Sequence, residues 1–320
     1  LHIITHVWDA RTSNCLTLVV RRSPEEPYSL STATLKPVFP HLVCSMPRFA
    51  VWEGRTFNTL GVLLLRMPEK NSPRTVHAVE NVLEIIDVLE KKTEAGVTEI
   101  ARELDRSKGT VHSHLVTLLE NEYVVKNGEK YQLSLKYLEL GESVIDEIAG
   151  YEIIKEETNE LAEKSGELAQ FATEEHGQAV YLYKVGGDNA VQTASSPGKR
   201  EYLHCLSLGK AMLAYTPEER VHEIVDQHGL PSYTENTITD REVLFDKLAE
   251  VRERGYAYDK EEKIEGIHCV AAPVQNNGEI FGAVSISGPS TRLQGDLYHE
   301  ELPNMVTRSA NVIEINTKFA

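Results

Sequence analysis

The chain has 320 residues, of which 41% are hydrophobic and 26% charged, which is enough apolar material to bury the cores of two domains. Its formal net charge of −16 excludes the uniformly basic surface on which many nucleic-acid-binding proteins depend. No apolar run approaches the ~20 residues that cross a bilayer, and the four cysteines form no C-x-x-C pair. We therefore expect a cytoplasmic protein without a membrane segment, a bound metal or a cofactor.

The first 66 residues show little hydrophobic periodicity. Residues 21–40 look like a loop because prolines recur there, at Pro24, Pro27, Pro37 and Pro40. The chain opens with Leu1, whereas Met67 leads straight into the first periodic segment. We predict that residues 1–66 are a non-native or disordered extension and that the natural start is Met67; a genuine, partly disordered extension is the alternative.

Three helices are predicted between residues 72 and 134. The first covers Val76 to Leu89 and places five apolar side chains on one face, those of Val79, Val82, Leu83, Ile86 and Leu89. The second runs from Thr98 to Leu104, and the turn at Asp105-Arg106 follows it. The third runs from Lys108 to Asn121, with Ser107 as its N-cap and a buried stripe at Val111, Leu115, Leu118 and Leu119.

Two strand-like runs follow the third helix and flank Asn127-Gly128, which predicts a hairpin with a type I′ turn. Helix, turn, helix and hairpin in this order indicate a winged helix-turn-helix, a fold that commonly places its recognition helix in a DNA major groove. The exposed polar residues would contact phosphates and base edges, namely Lys108, Gly109, Thr110, His112, Ser113 and Thr117 on the helix and Lys126 and Lys130 on the hairpin.

The charge of this region complicates a DNA-binding function. Residues 67–134 hold 9 Lys and Arg against 12 Asp and Glu, although phosphate contacts usually supply much of the affinity for DNA. We expect the basic residues to cluster on the DNA side, namely Arg74, Lys91, Lys92, Arg102, Arg106, Lys108, Lys126 and Lys130. The acidity would be typical of a protein from a salty, halophile-like cytoplasm. A domain that does not bind DNA is the alternative. His112 and His114 lie on different helix faces, so they do not predict a metal pair.

The rest of the chain contains a linker and a second domain. Residues 135–161 are predicted to be a linker helix and residues 162–320 a separate domain. Its strands are expected at 169–173, 179–185, 190–193, 256–259, 269–274 and 280–287, and its helices at 208–215, 218–228, 240–254 and 296–317. Asn276-Asn277-Gly278 is expected to join the last two strands as a tight hairpin. Strands followed by helices and again by strands favour the α+β class with an antiparallel sheet, half covered by helices, that leaves a cleft over one face.

Several segments resemble the IclR family of transcriptional regulators. The runs T-E-I-A-R-E-L and S-K-G-T-V-H-S-H-L are similar to the helix-turn-helix signature of that family. Independent matches in the second half are Tyr202–Ala211, Gly255–Asp259, Gly266–Pro273 and Gly282–Gly288. The resemblance covers about residues 72–320 and implies a GAF-like C-terminal domain, a dimerising linker and a dimer or tetramer. Ser113 stands where many members carry arginine, so the operator preference of the family does not transfer.

The resemblance also implies a pocket in the C-terminal domain for a small organic acid or aromatic effector. The matching positions are Ser207, Leu208, Asp259, Cys269, Ser285 and Ser287. Ser285 and Ser287 alternate along one strand and therefore share a face. Their hydroxyls and the Cys269 thiol suit a carboxylate or hydroxy acid, although small core residues packed under a helix are the alternative.

The sequence does not indicate an enzyme. No G-x-S-x-G motif surrounds a serine, which argues against a triad of His204, Ser207 and Asp259, and His268 should face away from Cys269. We therefore predict a regulator that binds a double-stranded DNA operator, with an affinity controlled by the effector. The alternative is a metabolite sensor whose winged helix binds another protein.

Overall fold

The computed structural model describes the backbone of residues 2–9, 14–21 and 29–33, and residues 75–191 and 196–318 with their side chains. The chain divides into two units, Leu1–Arg74 and Thr75–Ala320. The predicted domain boundaries at residues 72, 135 and 162 stay predictions.

Three antiparallel strands form the described part of the first unit. They are β1 (His2–Asp9), β2 (Asn14–Arg21) and β3 (Ser29–Ala33), in the order β1-β2-β3. The prediction of a loop across residues 21–40 is therefore wrong for β3, which pairs with β2. The recurring prolines suggested a loop, but none of them lies within β3. Pro24 and Pro27 precede the strand in the sequence, so every residue of β3 has a backbone N–H group that can pair. Residues 34–66 lie outside the described residues, and the native status of residues 1–66 stays a prediction.

The second unit begins with the winged helix-turn-helix that the sequence predicts. Its elements are α1 (His77–Lys92), β4 (Ala95–Gly96), α2 (Val97–Glu103), α3 (Lys108–Glu120), β5 (Val124–Asn127) and β6 (Lys130–Leu133). Asp105, with φ +51°, makes the turn between α2 and α3. The Ser107 hydroxyl accepts a hydrogen bond from the Thr110 N–H at 3.0 Å, which confirms the N-cap of α3.

Two details of the predicted helix faces are wrong. Val79 and Leu83 are each 55% exposed, and the buried face of α1 consists of Ile85, Val88 and Leu89. Leu119, expected in the buried stripe of α3, is 37% exposed. In both helices the apolar face is wider than the part of the helix that contacts the small core of this domain. Residues at the edge of that face are therefore exposed to solvent.

The predicted type I′ turn of the wing is also wrong. Asn127 pairs with Lys130, so the loop consists of Gly128 and Glu129. Gly128 has φ +59°, whereas Asn127 and Glu129 do not have positive φ, which fits a type II′ turn with glycine first.

The linker between the domains is two helices rather than one. They are α4 (Lys136–Asp146) and α5 (Tyr151–Ser165), and Gly150 between them has φ +73°. This left-handed conformation favours glycine and interrupts the helical path. The second helix therefore belongs to the C-terminal domain, where it packs against the sheet and the last helix.

A six-stranded antiparallel sheet forms the centre of the C-terminal domain and confirms the α+β class. Its strands are β7 (Leu168–Glu175), β8 (Gln178–Gly186), β9 (Arg200–Tyr202), β10 (Ala257–Lys260), β11 (Ile267–Asn276) and β12 (Glu279–Pro289). They lie in the order β10-β11-β12-β7-β8-β9. The hairpin between β11 and β12 turns at Asn277 and Gly278, which have φ +53° and +84° as a type I′ turn requires. Ala190 and Val191, predicted to be in a strand, are not in one.

Helices cover both faces of this sheet, not half of it as we predicted. The helix α6 (Ser207–Tyr215) lies on one face with α7 (Glu218–His228) and α8 (Arg241–Arg254). The helices α5 and α9 (Leu302–Thr317) cover the other. Residues 207–214 of α6 are all buried, as expected of a helix enclosed by protein on every side. In the part of the chain that the structure describes, no helix is both long and apolar enough to cross a membrane.

We expect Gly209→Ala to destabilise the second unit, because a methyl group at this position would overlap the backbone carbonyl of Leu203. Overpacking against backbone should lower the free energy of unfolding by at least about 2 kcal/mol, measured by urea denaturation. Gly141→Ala in α4 is the control, since the added methyl group would meet no atom within 4 Å and alanine favours a helix. Equal stability of the two variants would contradict the close packing of α6.

Candidate functional site

A cavity of about 310 Å³ lies on the α6 side of the sheet. Its floor is the sheet, and its cover comes from the segment before α6, the α7–α8 loop and the β10–β11 loop. The lining residues are Gln170, Tyr181, Lys199, Glu201, Leu206, Tyr233, Asp259, Lys263, Ile264, Ile267, Cys269 and Ser287. Apolar walls with a few converging polar groups are typical of small-molecule sites.

Asp259 is the buried charge at the deep end of the cavity. The residue is 2% exposed, and its Oδ1 accepts a hydrogen bond from the backbone N–H of Glu262 at 2.7 Å. Burial raises the pKa of the carboxyl to about 6, against the opposing effect of the nearby Lys210 ammonium. At neutral pH Asp259 is therefore mostly an anion with little exposure to solvent.

The ammonium of Lys210 lies beneath this end of the cavity. Lys210 is fully buried in α6 and its Nζ donates to the carboxylate of Glu262, in the loop after β10. The anion that Lys210 serves is thus the carboxylate of Glu262 in the same chain. A buried ammonium requires such a partner, because an unpaired one loses its hydration without compensation.

Three neutral polar side chains surround Asp259 on the floor. Burial and then the Asp259 carboxylate raise the pKa of the Cys269 thiol well above its ordinary value, so it stays protonated. The Ser287 hydroxyl donates to Oε1 of Gln170 at 3.4 Å. This end therefore offers hydrogen-bonding groups around one carboxylate and contains no cationic side chain among the lining residues.

The mouth of the cavity has the opposite character, because two lysines converge on one carboxylate. Lys263 Nζ lies 2.5 Å from Oε2 of Glu201, and Lys199 Nζ lies 3.2 Å from its Oε1. Burial by itself would lower the pKa of Lys263, but the hydrogen bond to Glu201 outweighs this and raises it. The same ammonium lies 3.5 Å from the centroid of the Tyr233 ring, within cation–π distance.

The structure brings three of the six predicted ligand residues together in the cavity. Asp259, Cys269 and Ser287 line it. The other three, Ser207, Leu208 and Ser285, are buried in α6 and the sheet behind the lining. Ser285 shares its sheet face with Ser287, as predicted, but its hydroxyl makes no hydrogen bond with any residue that the structure describes.

Sequence reasoning missed most of the mouth. Lys199, Glu201 and Tyr233 lie in a short strand and in loops, where no periodicity marks them. Lys263, which pairs with Glu201, lies in the β10–β11 loop and is likewise unmarked by any periodicity. The available signal was the excess of polar and aromatic residues in these connections, since binding residues concentrate in loops.

The histidines do not assemble with the candidate nucleophiles. His268 faces away from Cys269, as predicted, and stacks on Tyr298 with its Nδ1 2.9 Å from the carbonyl oxygen of Leu293. The Nε2 of His204 lies 3.0 Å from the carbonyl oxygen of Pro231. One nitrogen of each ring is thus engaged with a backbone carbonyl oxygen, and His268 Nε2 lies 3.7 Å from Oε1 of Glu261.

In the winged helix, all six predicted DNA-contact residues of α3 are exposed. Three of their hydroxyls are engaged locally: Thr110 with the Ser107 hydroxyl, Ser113 with the Gly109 carbonyl and Thr117 with the Ser113 carbonyl. The side chains of Lys108 and His112 have no hydrogen-bond or ion-pair partner among the residues that the structure describes. These two side chains are therefore the groups most available to a ligand.

Carboxylates neutralise several basic residues that were expected to face DNA. Lys130 lies 2.6 Å from Glu94, and Lys92 lies 3.2 and 3.0 Å from Glu99 and Glu103. Arg106 similarly pairs with Glu84, whereas Lys126 lies over the ring of Tyr131. Arg74 lies outside the described residues. The expected basic cluster is thus reduced mainly to Lys91, Arg102, Lys108 and Lys126.

We expect Asp259 to make the stability depend on pH. Burial raises its pKa from 3.8 to about 6, so between these values the folded chain keeps a proton that the unfolded chain has lost. The free energy of unfolding therefore falls as pH rises through this window, by up to about 3 kcal/mol in total. In urea titrations from about pH 5 to about pH 7, it should fall by about 1 kcal/mol more in the native protein than in Asp259→Asn.

Asp188→Asn, which changes an exposed aspartate, is the control and should follow the native protein. Parallel pH profiles for the native protein and Asp259→Asn would show that water reaches the Asp259 carboxyl.

Comparison with known proteins agrees with this architecture. Residues 78–128 match the IclR helix-turn-helix domain, and residues 143–315 match the bacterial transcriptional regulator IclR C-terminal domain. The chain is 32% identical over 253 residues to the "Probable HTH-type transcriptional regulator ArcR" of Halobacterium salinarum, which covers 78% of this chain and 96% of that one. It is also 32% identical to the HTH-type transcriptional regulator XynR of Escherichia coli, over 68% of this chain and 88% of XynR.

Solved structures show the same fold. The IclR protein of Thermotoga maritima is 28% identical and superposes with a TM-score of 0.64, over 76% of this chain and 99% of that one. An IclR homologue from Microbacterium hydrocarbonoxydans, solved with 4-hydroxybenzoate, is 20% identical with a TM-score of 0.67, over 76% of this chain and all of that one. The two domain matches and the 32% identity over most of the chain show that this protein belongs to the IclR family of transcriptional regulators.

Proposed function

We propose that the chain binds an operator through α3 and that a small organic acid or aromatic molecule in the cavity controls its affinity for DNA. The observation that carries the proposal is the presence, in one chain, of a helix α3 with an exposed polar face and a cavity whose apolar walls carry a few converging polar groups. The relatives named as transcriptional regulators support the first half. The homologue solved with 4-hydroxybenzoate supports the second.

Lys108 and His112 would make the first contacts with DNA. Both lie in the first two turns of α3, where the helix N-terminus also favours a phosphate. Gly109 lets the backbone approach closely, and the hydroxyls of Thr110, Ser113 and Thr117 retain lone pairs that can accept hydrogen bonds from base edges. Lys126 on the wing would add a phosphate contact, and Lys130 would first have to leave Glu94.

The effector would act by binding one arrangement of the protein more tightly than another. A ligand that binds the DNA-competent and the DNA-incompetent arrangement with equal affinity does not shift the equilibrium between them. Coupling free energies between two sites typically correspond to factors of about 5 to 150 in affinity. We therefore expect the effector to change the operator affinity within that range.

A second copy of the chain would cover the exposed apolar residues of α1. Val76, Val79 and Leu83 recur at three- and four-residue spacing and are 62%, 55% and 55% exposed. Apolar patches of this kind mark protein interfaces. A twofold dimer would also present two recognition helices to a palindromic operator, as helix-turn-helix proteins commonly do.

The DNA-binding proposal is tested by fluorescence anisotropy with the DNA upstream of the gene, over a series of salt concentrations. Lys108→Gln should weaken binding at every sequence and reduce the salt slope by about one ion. His112→Ala should weaken binding to the operator more than to unrelated DNA. Lys247→Gln, which removes an exposed lysine of α8, is the control and should bind like the native protein.

The same assay with a panel of organic acids tests the effector. At least one acid should change the operator affinity by about 5- to 150-fold without binding to DNA itself. Absence of any sequence-dependent binding would instead support the alternative, a metabolite sensor whose winged helix contacts a protein.

Val79→Glu combined with Leu83→Glu should convert the dimer to monomers, because burying two carboxylates in an apolar interface is costly. Light scattering after size-exclusion chromatography measures the mass in solution. The control is Val243→Glu on α8, where an apolar side chain is 51% exposed outside the proposed interface. A mass unchanged by the double substitution would place the interface elsewhere.

A further inference from the structure

The cavity has two ends of different charge and accessibility. Asp259, Gln170 and Ser287 at the deep end are all buried, whereas Tyr233 and Ile264 at the mouth are exposed by 41% and 44%. Anionic Asp259 is the charged group among these buried residues, whereas Lys199 and Lys263 pair with Glu201, and the Lys263 ammonium lies 3.5 Å from the ring of Tyr233. An elongated ligand that fills the cavity therefore meets an anion at its inner end and cations at its outer end.

A carboxylate at the inner end would be repelled. Asp259 is mostly ionised at neutral pH, and like charges interact strongly where water is excluded. Glu262 adds a second nearby carboxylate, which the buried Lys210 already neutralises. The group that satisfies Asp259 is a hydrogen-bond donor such as a hydroxyl, because an ionised carboxylate only accepts hydrogen bonds.

A carboxylate fits at the outer end, next to Lys263. The Lys263 ammonium has three N–H donors, of which Glu201 engages one at 2.5 Å. It is partly buried between Glu201 and the Tyr233 ring, so a carboxylate there would be less screened than on an open surface. A ligand carboxylate would be a second anion beside the two lysines that now share Glu201.

The middle of the cavity is apolar. Leu206, Ile267 and the ring of Tyr181 line it, and Ile264 continues the apolar wall toward the mouth. A polyhydroxylated chain would leave hydroxyls unpaired against these walls, whereas an aromatic or methylene spacer would not. At about 30 Å³ for each water, a volume of 310 Å³ corresponds to a molecule of about ten non-hydrogen atoms.

From this arrangement we propose that the effector is a hydroxy acid with an apolar or aromatic spacer, bound with its hydroxyl at Asp259 and its carboxylate at Lys263. This inference rests on the proposed function, since it assumes that the cavity is the effector site. It assigns Lys263, a residue of the β10–β11 loop, as the group that selects for an acid, and it fixes the direction in which the acid enters.

The test is calorimetric titration of the full chain without DNA. The probes are 4-hydroxybenzoate, benzoate, which lacks the hydroxyl, 4-hydroxybenzamide, which lacks the charge, and 6-hydroxyhexanoate, which has a flexible spacer. At least one of the two hydroxy acids should bind. For a 4-hydroxybenzoate complex, loss of either end group should weaken binding by at least about tenfold, because it leaves a buried partner unsatisfied.

Variants distinguish the two orientations. Lys263→Met keeps the apolar stem and should weaken hydroxy-acid binding at least about tenfold while leaving 4-hydroxybenzamide within about twofold. Lys247→Met on α8 is the matched control and should change neither. Asp259→Asn should weaken hydroxy acids and leave benzoate unchanged. In the reverse orientation Asp259→Asn would instead strengthen acid binding, because it removes the repulsion between two carboxylates.

The uptake of protons gives a second readout that does not depend on a variant. Titrations near pH 7 in buffers of different ionisation enthalpy should show no proton uptake, because a hydroxyl stabilises ionised Asp259. Uptake of about one proton per ligand would mean that the ligand carboxylate lies against a protonated Asp259, and would overturn the proposal.

The proposal also fails if neither hydroxy acid binds at about 10 mM, a concentration at which even a millimolar site is nearly filled. It fails if benzoate binds as tightly as 4-hydroxybenzoate, or if Lys263→Met and Lys247→Met behave alike. Failure here leaves the proposed function intact when another acid changes operator binding. If no acid changes operator binding, the proposed function fails whether or not a hydroxy acid binds in the cavity.

Discussion

The C-terminal domain is organised around one buried ion pair, between Lys210 of α6 and Glu262 of the loop after β10. Because α6 is enclosed by the sheet and two other helices, its single ammonium can reach neither water nor a surface carboxylate. The loop must therefore fold over the end of α6 and bring Glu262 to it. This constraint places Asp259, three residues earlier, at the deep end of the cavity and Lys263, the next residue, at its mouth.

The same end of the cavity is tied to the opposite face of the sheet. Tyr298, in a π-helical turn before α9, donates its hydroxyl to the carbonyl of Cys269 at 3.1 Å. Its ring packs between Tyr258 and His268. Since α9 packs against α5, the residues around Asp259 are in continuous contact with the second of the two linker helices. π-Helical turns within α-helices are common at functional sites.

The winged helix shows how an acidic domain keeps a surface suited to DNA. Carboxylates hold Lys92, Lys130 and Arg106 in local ion pairs, each of which is exposed and contributes little to stability. These pairs keep most of the domain neutral or negative. Lys108 at the start of α3 is among the basic residues outside these pairs, and it lies where the helix dipole is also positive.

The sequence by itself determined the elements and their order. Helical and strand periodicity, the Ser107 cap and the Asn277-Gly278 turn are local features, and the structure confirms them. Local patterns failed to predict features that depend on packing. Leu83 and Leu119 are exposed although they are as apolar as the buried leucines. The break between α4 and α5 is marked in the sequence only by Gly150. Asp259, Cys269 and Ser287 could be selected from the family resemblance, because they lie in recognisable motifs.

Only the tertiary structure decided which residues share the cavity. Lys199, Glu201, Tyr233 and Lys263 come from separate connections, and no spacing in the chain brings them together. Ser285 and Ser287 are equivalent in the sequence, yet the second lines the cavity, whereas the first is 1% exposed and does not line it. The physical reason is the range of the interactions. The backbone hydrogen bonds of a helix and the spacing of its apolar residues are set within a few residues, whereas burial and charge pairing depend on residues far apart in the chain.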